Sequence, residues 1–508
     1  MAGNLRGPIL MPIQVVWFKR DLRVRDHYPL ARASRRGPCV GLYVYEPEVF
    51  RAEDFDPAHL LFINQSLDEL DRSLGALGGR LTTRVGRMPD VLDGLDREFG
   101  VAGLWSHQET GGAVTFARDR RVGRWARARG IPWHEFGQDG VTRRLPTRDA
   151  WAGLWSAAMA RPEAPRPARL LSPPGIDHGS ILGPDALGLP PSSRPEAQRG
   201  GESAAHSILG SFLTRRGVDY PRTVSSPTTA RRGCSRLSPH LAWGCVSTAQ
   251  VDRAIRRREA DLRDALDAGE AVDARWWRAL RSFRDRLRWR GHFMQKLEDE
   301  PAIEHRNFNR AYDGLREGDF DRSRFDAWCS GRTGFPMIDA SMRALHLGGW
   351  INFRMRAMLM SFASYHLWLH WRPTSVYLAR QFLDYEPGIH YPQAQMQSGT
   401  TGINTLRIYS PAKQALDHDA GGQFIRRYVP ELDPVPDEYL AAPHRMPPLL
   451  ARMIGFEVGR DYPEPIVDHA AAYRLARARM DAVVDRPGAR AEAARVLLRH
   501  GGRGRRRA

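Results

Sequence analysis

The chain has 508 residues, 42% of them hydrophobic, and a formal net charge of +18 at pH 7. This length allows more than one hydrophobic core, so we expect two domains. The sequence lacks a run of eighteen apolar residues and a signal-peptide cleavage pattern, which excludes a helical membrane span and favours a cytoplasmic protein. Four cysteines lie far apart without a CxxC pair, which excludes a disulfide framework and predicts no metal site.

The basic excess predicts a polyanionic partner such as DNA or RNA. Only Lys19, Lys296 and Lys413 are lysines, so arginine makes up nearly all of the 76 basic residues. Arginine suits bidentate phosphate contacts, but a skew toward arginine also follows from genome base composition. The charge alone leaves both explanations open.

The first third of the chain alternates between strand and helix patterns. Short apolar runs predict buried strands, and the amphipathic stretches between them predict helices. Strands are predicted at 13–18, 40–45, 80–85, 101–106 and 131–136, and helices at 58–76, 88–99 and 114–129. Such alternation is typical of a doubly wound parallel sheet. We therefore predict an α/β domain over residues 1–145, without a dinucleotide site because no GxGxxG follows the first strand.

The composition changes after this domain. Proline and glycine are frequent between 161 and 201, which indicates an interdomain linker, placed at 146–200. Helical periodicity then predicts helices at 248–267, 274–297, 338–347 and 351–370, so residues 201–480 should form a larger all-α domain. The basic segment 481–508 is expected to be a solvated arm, with nucleic-acid binding as the alternative.

Three segments carry residue types suited to binding. In "GCSRLSPHLAWG", 233–244, hydroxyls and an arginine precede a helical run, as in a pyrophosphate cradle, although an ordinary helix cap needs only one such residue. In "FRDRLRWRGHF", 283–293, arginines alternate with aromatic residues, as in base stacking or in a packed helix with one charged face. In "WINFRMRAM", 350–358, a buried guanidinium would need an anionic partner, for which Asp384 and Glu386 are candidates.

The stretch from Leu383 to Gln414 shows no clean helical or strand period. Long loops inside compact domains are either functional or disordered, and the interleaved Tyr, Ile and Met side chains argue against disorder. We therefore predict a loop that lines a functional site.

In this order along the chain, the motifs resemble those of the photolyase/cryptochrome family. They are "VVWFKRDLRVRDHYPLARA", "SRLSPHLAWG", "WRGHF", "TGFPMIDASMRAL", "GWINFRMRAM" and "RIYSPAKQALDHDAGGQFIRRYVPEL", between residues 13 and 432. The resemblance implies an N-terminal α/β domain, a linker and a helical domain that binds FAD, with electron transfer driven by blue light. It leaves open whether an antenna chromophore binds to the N-terminal domain.

The same resemblance assigns residues to the cofactor, the DNA and the chemistry. The cofactor-binding set is Ser235, Arg236, Leu237, Ser238, Phe283, Arg290, Arg356, Asp384, Tyr385, Glu386 and His390. The DNA-binding set is Arg286, Trp289, Arg354 and Arg407. The catalytic set is Trp371, His390, Trp289 and Tyr391.

Several positions depart from the family pattern around the flavin. His390 stands where an asparagine usually faces flavin N5, and an imidazole there can donate, accept or carry a proton. Ala394 replaces the tryptophan nearest the flavin, and Trp371 matches the middle member of the usual electron-transfer triad. Because this triad is broken, Tyr391 is our first candidate for another electron donor, ahead of Tyr385 and Trp368.

The pocket for damaged DNA also departs from the pattern. Arg286 stands where many pyrimidine-dimer photolyases have a glutamate, so a group that accepts hydrogen bonds is replaced by one that only donates them. Phe353 replaces an asparagine and Ala357 a methionine, whereas Trp289 keeps the aromatic platform.

Two functions stay open at this point. The leading hypothesis is a FAD-dependent, light-driven photolyase that repairs pyrimidine photoproducts in a damaged duplex or single strand. The alternative is a cryptochrome-type blue-light photoreceptor. Arg286, Ala394 and Ala357 favour the photoreceptor; the basic charge, Trp289 and Arg354 favour repair. A nucleic-acid-binding protein without flavin conflicts with the Arg356/Asp384 pair, and the photoproduct and oligomeric state are left open.

Overall fold

The computed structural model describes residues 11–501, and their N-terminal part forms the predicted parallel α/β domain. The strands are β1 Ile13–Trp17, β2 Cys39–Tyr45, β3 Leu81–Val85, β4 Val101–His107 and β5 Trp133–Phe136. Their order in the sheet is β3-β2-β1-β4-β5. Val15 at the centre of β1 pairs with Val40 of β2 on one side and Leu104 of β4 on the other. Strands β1 and β2 are buried throughout, which explains their continuous apolar sequences.

Helices cover both faces of this sheet, as the predicted alternation requires. They are α1 Tyr28–Ala33, α2 Pro47–Phe50, α3 Pro57–Gly75, α4 Met88–Phe99 and α5 Ala113–Ala128. Helix α3 begins where the Asp56 side chain accepts a hydrogen bond from the Ala58 N–H. Asp54, which precedes this helix, lies on the side of the domain that faces the helical domain, where it contacts Tyr385.

The proline-rich segment joins the two domains along the edge of the sheet. Helix α6, Trp151–Ala160, falls inside the region predicted as linker, and residues 161–201 contain no strand or α-helix. The Thr83 N–H at the outer strand donates to the His178 carbonyl at 2.8 Å, which covers part of an otherwise free sheet edge. Arg194 then donates to the carbonyl oxygens of Leu345 and Gln381, and these bonds anchor the segment to the helical domain.

The larger domain is helical, as predicted. Its first helices are α7 Glu202–Ser211, α8 Tyr220–Thr223, α9 Pro227–Gly233, α10 Ser238–Ala242, α11 Thr248–Asp267, α12 Arg275–Asp299, α13 Arg322–Ser330 and α14 Pro336–Gly348. Those that follow are α15 Phe353–Ser361, α16 Trp371–Gln381, α17 Pro387–Ser398, α18 Pro411–His418, α19 Gln423–Tyr428, α20 Asp437–Leu440, α21 Pro448–Met453, α22 His469–Val484 and α23 Ala489–His500. No helix of residues 11–501 is long and apolar enough to cross a membrane.

The prediction of one long loop between 383 and 414 was wrong, because this stretch contains α17 and the start of α18. Pro387 and Pro392 look like helix breakers in the sequence. Pro387, however, occupies the first turn of α17. Backbone N–H groups in the first turn have no acceptor within the helix, so the N–H that proline lacks is not needed there. Tyr391 and Gln395 are fully buried, so tertiary packing offsets the weak propensity of this helix. The predicted helix 351–370 is also shorter, since α15 ends at Ser361 and a π-helical turn, Phe362–His366, follows.

The expectation of a solvated C-terminal arm differs from the structure for residues 489–500. This segment forms α23, in which Val496 and His500 are buried. His500 pairs with Glu300 at 2.7 Å, and Arg495 donates to the Phe308 carbonyl at 2.6 Å, so the helix is docked on the domain. Residues 502–508 of the expected arm lie outside the described residues.

Candidate functional site

A cavity of about 310 Å³ opens in the helical domain between α12, α15 and α17; we call it the main cavity. The Cys234–Ser238 stretch closes one side of it. Eleven residues predicted from the sequence line it: Ser235, Arg236, Ser238, Arg286, Trp289, Arg290, Arg356, Asp384, Tyr385, Glu386 and His390. The structure therefore brings together segments that are far apart in the chain, including part of the stretch predicted as a loop.

A bidentate ion pair lies in the wall of the main cavity. Arg356 donates from Nη1 and Nη2 to the two carboxylate oxygens of Asp384, at 2.9 and 2.8 Å. Its Nε donates to the Ile351 carbonyl, and its guanidinium lies 4.0 Å from the centre of the Phe382 ring. This fork holds the start of α15 against the turn before α17 in one geometry.

Arg236 presents an unsatisfied cationic group beside the cavity. Its backbone is left-handed (φ 62°), its Nε donates to Gln198 at 2.9 Å, and its guanidinium lies 3.9 Å from the Trp350 ring centre. Nη1 is buried and has no hydrogen-bond partner among the described residues. Burial, assisted by the charge of Arg231, lowers the pKa of Arg236 to about 10, so the group stays cationic at neutral pH. A buried cation with a free N–H calls for an anion.

A second ion pair involves Glu386, at the end of the turn that leads from Asp384 into α17. Arg290 of α12 donates to Glu386 Oε2 at 3.2 Å, while Arg20 of the N-terminal domain lies 3.8 Å from the same oxygen. Burial raises the pKa of Glu386 in spite of both arginines, and its Oε1 is buried without a partner. Arg20 also donates to the Tyr385 carbonyl at 2.8 Å, so the N-terminal domain helps to position the turn.

His390 is a neutral imidazole in the cavity wall. Its Nε2 lies 2.7 Å from the Ser375 carbonyl, and burial lowers the pKa of the ring to about 4. Because a carbonyl oxygen only accepts hydrogen bonds, Nε2 carries the proton and Nδ1 is left as an acceptor. At neutral pH the ring can thus accept a hydrogen bond but carries no charge.

The mouth of the cavity is aromatic and basic. Trp289 is 52% exposed, and the Arg286 guanidinium lies 4.5 Å from its ring centre. Phe353, which is 42% exposed, lines the same opening. The exposed ring suits a stacked base, and the cation that lies over part of it suits a nearby phosphate.

Six of the predicted residues do not line the cavity. Leu237 is fully buried, and Phe283 packs behind the wall with its ring centre 4.7 Å from that of Phe212. The Arg354 side chain turns toward the Ser225 hydroxyl, 3.5 Å away, and Arg407 is exposed beyond the wall. Trp371 and Tyr391 lie deeper in the domain, as described next.

A row of buried rings leads away from the cavity. Tyr391 lies behind the wall, with its ring centre 5.4 Å from that of His390 and 6.3 Å from that of Tyr385. Trp371 follows at 6.5 Å from Tyr391. Trp368 belongs to a different apolar cluster, with Tyr312 and Tyr365, so the structure separates it from this row.

The sequence reading missed three kinds of neighbour. Trp350 and Asn352 line the main cavity, but they precede α15, for which only the arginines were predicted to bind. Gln393 and Gln397 also line it; they fall inside the stretch predicted to line the site but were not named individually, and a helical period would have aligned them with His390. Asp54, a hydrogen-bond partner of Tyr385, comes from the other domain, and no local sequence pattern points to it.

A second, smaller cavity of about 170 Å³ lies above the carboxyl ends of β1, β2 and β4; we call it the N-terminal cavity. Strand order reverses between β1 and β4, and this is where open parallel sheets bind ligands. Arg118 joins Glu46 and Glu109 at 3.0 and 2.6 Å, and Glu46 Oε2 is buried without a partner. Tyr385 lines both cavities and so forms part of the wall between them.

Comparison with known proteins identifies the class. Residues 283–482 match the FAD binding domain of DNA photolyase, and residues 14–143 match the DNA photolyase domain. The deoxyribodipyrimidine photo-lyase of Streptomyces griseus is 31% identical over 487 residues, which cover 92% of this chain and 99% of that protein. A cryptochrome DASH of Gloeobacter violaceus is 28% identical over 487 residues, with coverage of 89% and 93%.

A solved structure agrees with these matches. The class III photolyase from Agrobacterium tumefaciens aligns with a TM-score of 0.81 at 26% identity, covering 95% of this chain and all of that one. A parallel α/β domain followed by a helical FAD-binding domain defines a two-domain flavoprotein. The chain belongs to the photolyase/cryptochrome family. Photo-lyases and cryptochromes are about equally similar to the chain, so sequence similarity assigns the family but does not distinguish the two activities.

Proposed function

We propose that the chain is a FAD-dependent, light-driven DNA photolyase that repairs pyrimidine photoproducts. The observation that carries this proposal is the main cavity, which combines a guanidinium with one buried, unpaired N–H group, a bidentate ion pair and an exposed aromatic mouth. A buried cation inside suits the cofactor, and an exposed tryptophan outside suits a flipped base.

The residues of the main cavity fit FAD. Arg236, with its free Nη1, and the hydroxyls of Ser235 and Ser238 would hold the diphosphate. By resemblance to the family, the Arg356–Asp384 ion pair would lie beside the isoalloxazine ring of the flavin. When bound, the flavin would supply light absorption and one-electron transfer. The protein would supply binding, orientation and the exclusion of water.

The mouth would receive the damaged DNA. Trp289 offers a stacking surface for an extruded base, and Arg286 and the exposed Arg407 offer cations for phosphates. Arg286 would donate hydrogen bonds to carbonyl oxygens of the lesion, whereas a glutamate in its place would accept them. A DNA partner, as a damaged duplex or a single strand, follows from this arrangement and from the net charge of +18.

Repair is tested with the purified full-length protein carrying reduced flavin. Illumination should remove lesions from DNA containing either cyclobutane dimers or (6–4) photoproducts, measured by chromatography of the digested DNA. Trp289→Ala should weaken lesion binding by about 1–3 kcal/mol while flavin stays bound, because one stacking surface is lost. Phe116→Ala, which removes an aromatic side chain of α5 that is 46% exposed, should have no effect. A yellow protein that removes neither lesion under light contradicts repair.

The alternative is a cryptochrome-type photoreceptor, favoured by one contact at the mouth. The Arg286 guanidinium lies over the Trp289 ring and covers part of the platform that a lesion would need. A photoreceptor would show light-dependent changes in hydrogen exchange or partner binding without lesion loss. The repair assay and hydrogen exchange on the same preparation separate the two functions.

We also propose that the N-terminal cavity binds an antenna chromophore. Its walls combine Trp17, Phe50 and Trp243 with buried carboxylates of Glu46 and Glu109, which suits a flat aromatic molecule with hydrogen-bond donors. A second chromophore released on denaturation, in addition to FAD, would support this assignment. The absence of such binding after incubation with flavins and deazaflavins would contradict it.

A further inference from the structure

Two buried tyrosines meet one carboxylate at the boundary between the domains. Tyr385, in the turn before α17, donates its phenol O–H to Oδ2 of Asp54 in the N-terminal domain. The Tyr391 hydroxyl lies 3.3 Å from the same oxygen and 3.2 Å from the Tyr385 hydroxyl. Burial and the Asp54 charge raise the pKa of both phenols, so both are protonated at neutral pH.

These tyrosines occupy the space between the main cavity and Trp371. Tyr385 lines the cavity, Tyr391 follows at 6.3 Å, and Trp371 at a further 6.5 Å between ring centres. Ala394, also in the cavity wall, offers no ring of its own. A tyrosine is therefore the first oxidisable side chain on this path.

The two kinds of ring differ in what happens to the proton after oxidation. Trp371 is fully buried, and its Nε1–H donates to the Asn307 amide oxygen at 2.7 Å. An amide oxygen is a weak base, so an oxidised Trp371 keeps its proton and remains a buried cation, which is costly. An oxidised Tyr385 can pass its proton to the Asp54 carboxylate, and the radical that remains is neutral.

We propose that Tyr385 and Tyr391 donate electrons to the light-excited flavin, with Asp54 as the base that accepts the phenol proton. This inference rests on FAD binding in the proposed function. Tyr385 gives one electron to the oxidised, excited flavin, its O–H bond breaks, and the proton moves to Asp54 Oδ2. Tyr391 then gives Tyr385 an electron and a proton, so the neutral radical ends on Tyr391. A thiolate from solution returns the electron to Tyr391 and becomes a thiyl radical, and Asp54 returns the proton to the phenol oxygen.

Charged or titratable groups lie on the elements around this carboxylate. They are Glu53 on its own segment, Glu304 and His305 on the segment after α12, Arg372 on α16, and His390 on α17. Since these groups titrate or pair among themselves, a pH profile alone cannot identify the base. Isotope exchange and substitution of Asp54 identify it directly.

The test is electron paramagnetic resonance on the oxidised, FAD-loaded protein under blue light without DNA. We expect a tyrosyl radical whose spectrum narrows when the protein carries ring-deuterated tyrosine. Asp54→Asn should lower its yield by about 100-fold, the size of effect expected for a positioned proton acceptor. Asp68→Asn, a matched loss of one exposed carboxylate on α3, should leave the yield unchanged. Tyr391→Phe should leave a radical on Tyr385 that decays faster.

Solvent isotope exchange tests the same step without any substitution. Radical formation in wild-type protein should slow in D2O, because the O–H bond breaks as the electron leaves. A radical confined to tryptophan, or a tyrosyl yield unaffected by Asp54→Asn and D2O, overturns the proposal.

The outcomes also separate this inference from the proposed function. A colourless protein that does not take up FAD overturns both. A yellow protein that repairs DNA but shows no tyrosyl radical overturns the tyrosine route alone. A yellow protein with the radical and without repair overturns the photolyase function alone.

Discussion

At the residue scale, buried charge decides what each side chain in the main cavity can do. Arg356 is fully paired with Asp384, so its role is to hold two segments together. Arg236 has an unpaired N–H and is available to a ligand. His390 is uncharged at neutral pH because burial lowers its pKa to about 4. The three side chains line the same cavity, but they differ in hydrogen-bond pairing and in charge. Each therefore has a different role.

His390 should make stability depend on acid. The ring binds a proton below about pH 6.5 in the unfolded chain, but only below about pH 4 in the folded protein, so folding is penalised as pH falls through this window. Between pH 7 and pH 5, His390 should account for about 2 kcal/mol of lost unfolding free energy. Urea denaturation of wild type and His390→Asn at both values measures this: the variant should lose less. Equal losses in both proteins would show that His390 is protonated when folded.

His390→Asn should also change which oxidation state of bound flavin accumulates under light. An amide both donates and accepts hydrogen bonds, whereas the neutral ring, whose Nε2–H is held by the Ser375 carbonyl, only accepts. Absorption spectra recorded during illumination without DNA would detect the change. Identical spectra in the two proteins would show that His390 does not lie next to the part of the flavin that takes up a proton.

At the element scale, α17 forms one wall of the main cavity, although its sequence resembles that of a loop. It packs against α12, which carries Trp289 and Arg290, and its Gly388 is a point of close approach. A Cβ added at Gly388 would lie 2.8 Å from Met294 Cα. The backbone of α12 cannot yield as a flexible side chain can, so this glycine sets the distance between the two helices.

Gly388→Ala should therefore separate α12 from α17 and weaken flavin binding. Overpacking of this kind costs about 1–3 kcal/mol, and we expect a lower melting temperature and a lower ratio of flavin to protein. Gly94→Ala in α4 is the matched control, since nothing lies within 4 Å of the added Cβ there. That variant should be as stable as wild type or more stable. Normal flavin content in Gly388→Ala would show that α17 does not fix the cavity.

At the scale of the whole molecule, the N-terminal domain contributes directly to the site in the helical domain. Arg20 holds the Tyr385 carbonyl and approaches Glu386, and Asp54 accepts the Tyr385 hydroxyl. The net charge of +18 belongs to the chain as a whole, and in the proposed function it would speed the encounter with DNA.

DNA binding should weaken steeply as salt is raised, because arginine–phosphate contacts release counterions. Arg407→Ala should lower affinity and reduce the salt slope by about one, since this side chain is exposed at the loop before α18. Arg354→Ala should lower affinity less, because its side chain is turned toward Ser225. Truncation after Gly501 retains the docked His500 and should matter least. Loss of binding on truncation, with Arg407→Ala silent, would place the DNA site on the tail.

The sequence by itself determined the five parallel strands, the helical second domain and eleven of the residues that line the main cavity. Strand runs and helical periods are local signals, and family motifs such as "SRLSPHLAWG" and "GWINFRMRAM" mark Arg236 and Arg356 directly. Tertiary structure decided that 387–398 is a helix, that 489–500 docks, and that Asp54 meets Tyr385 and Tyr391. These outcomes depend on burial between segments that lie far apart in the chain, from 92 residues for Gln395 and Ile303 to 337 for Asp54 and Tyr391. The free energy of that burial overrides local propensity and leaves no local sequence pattern.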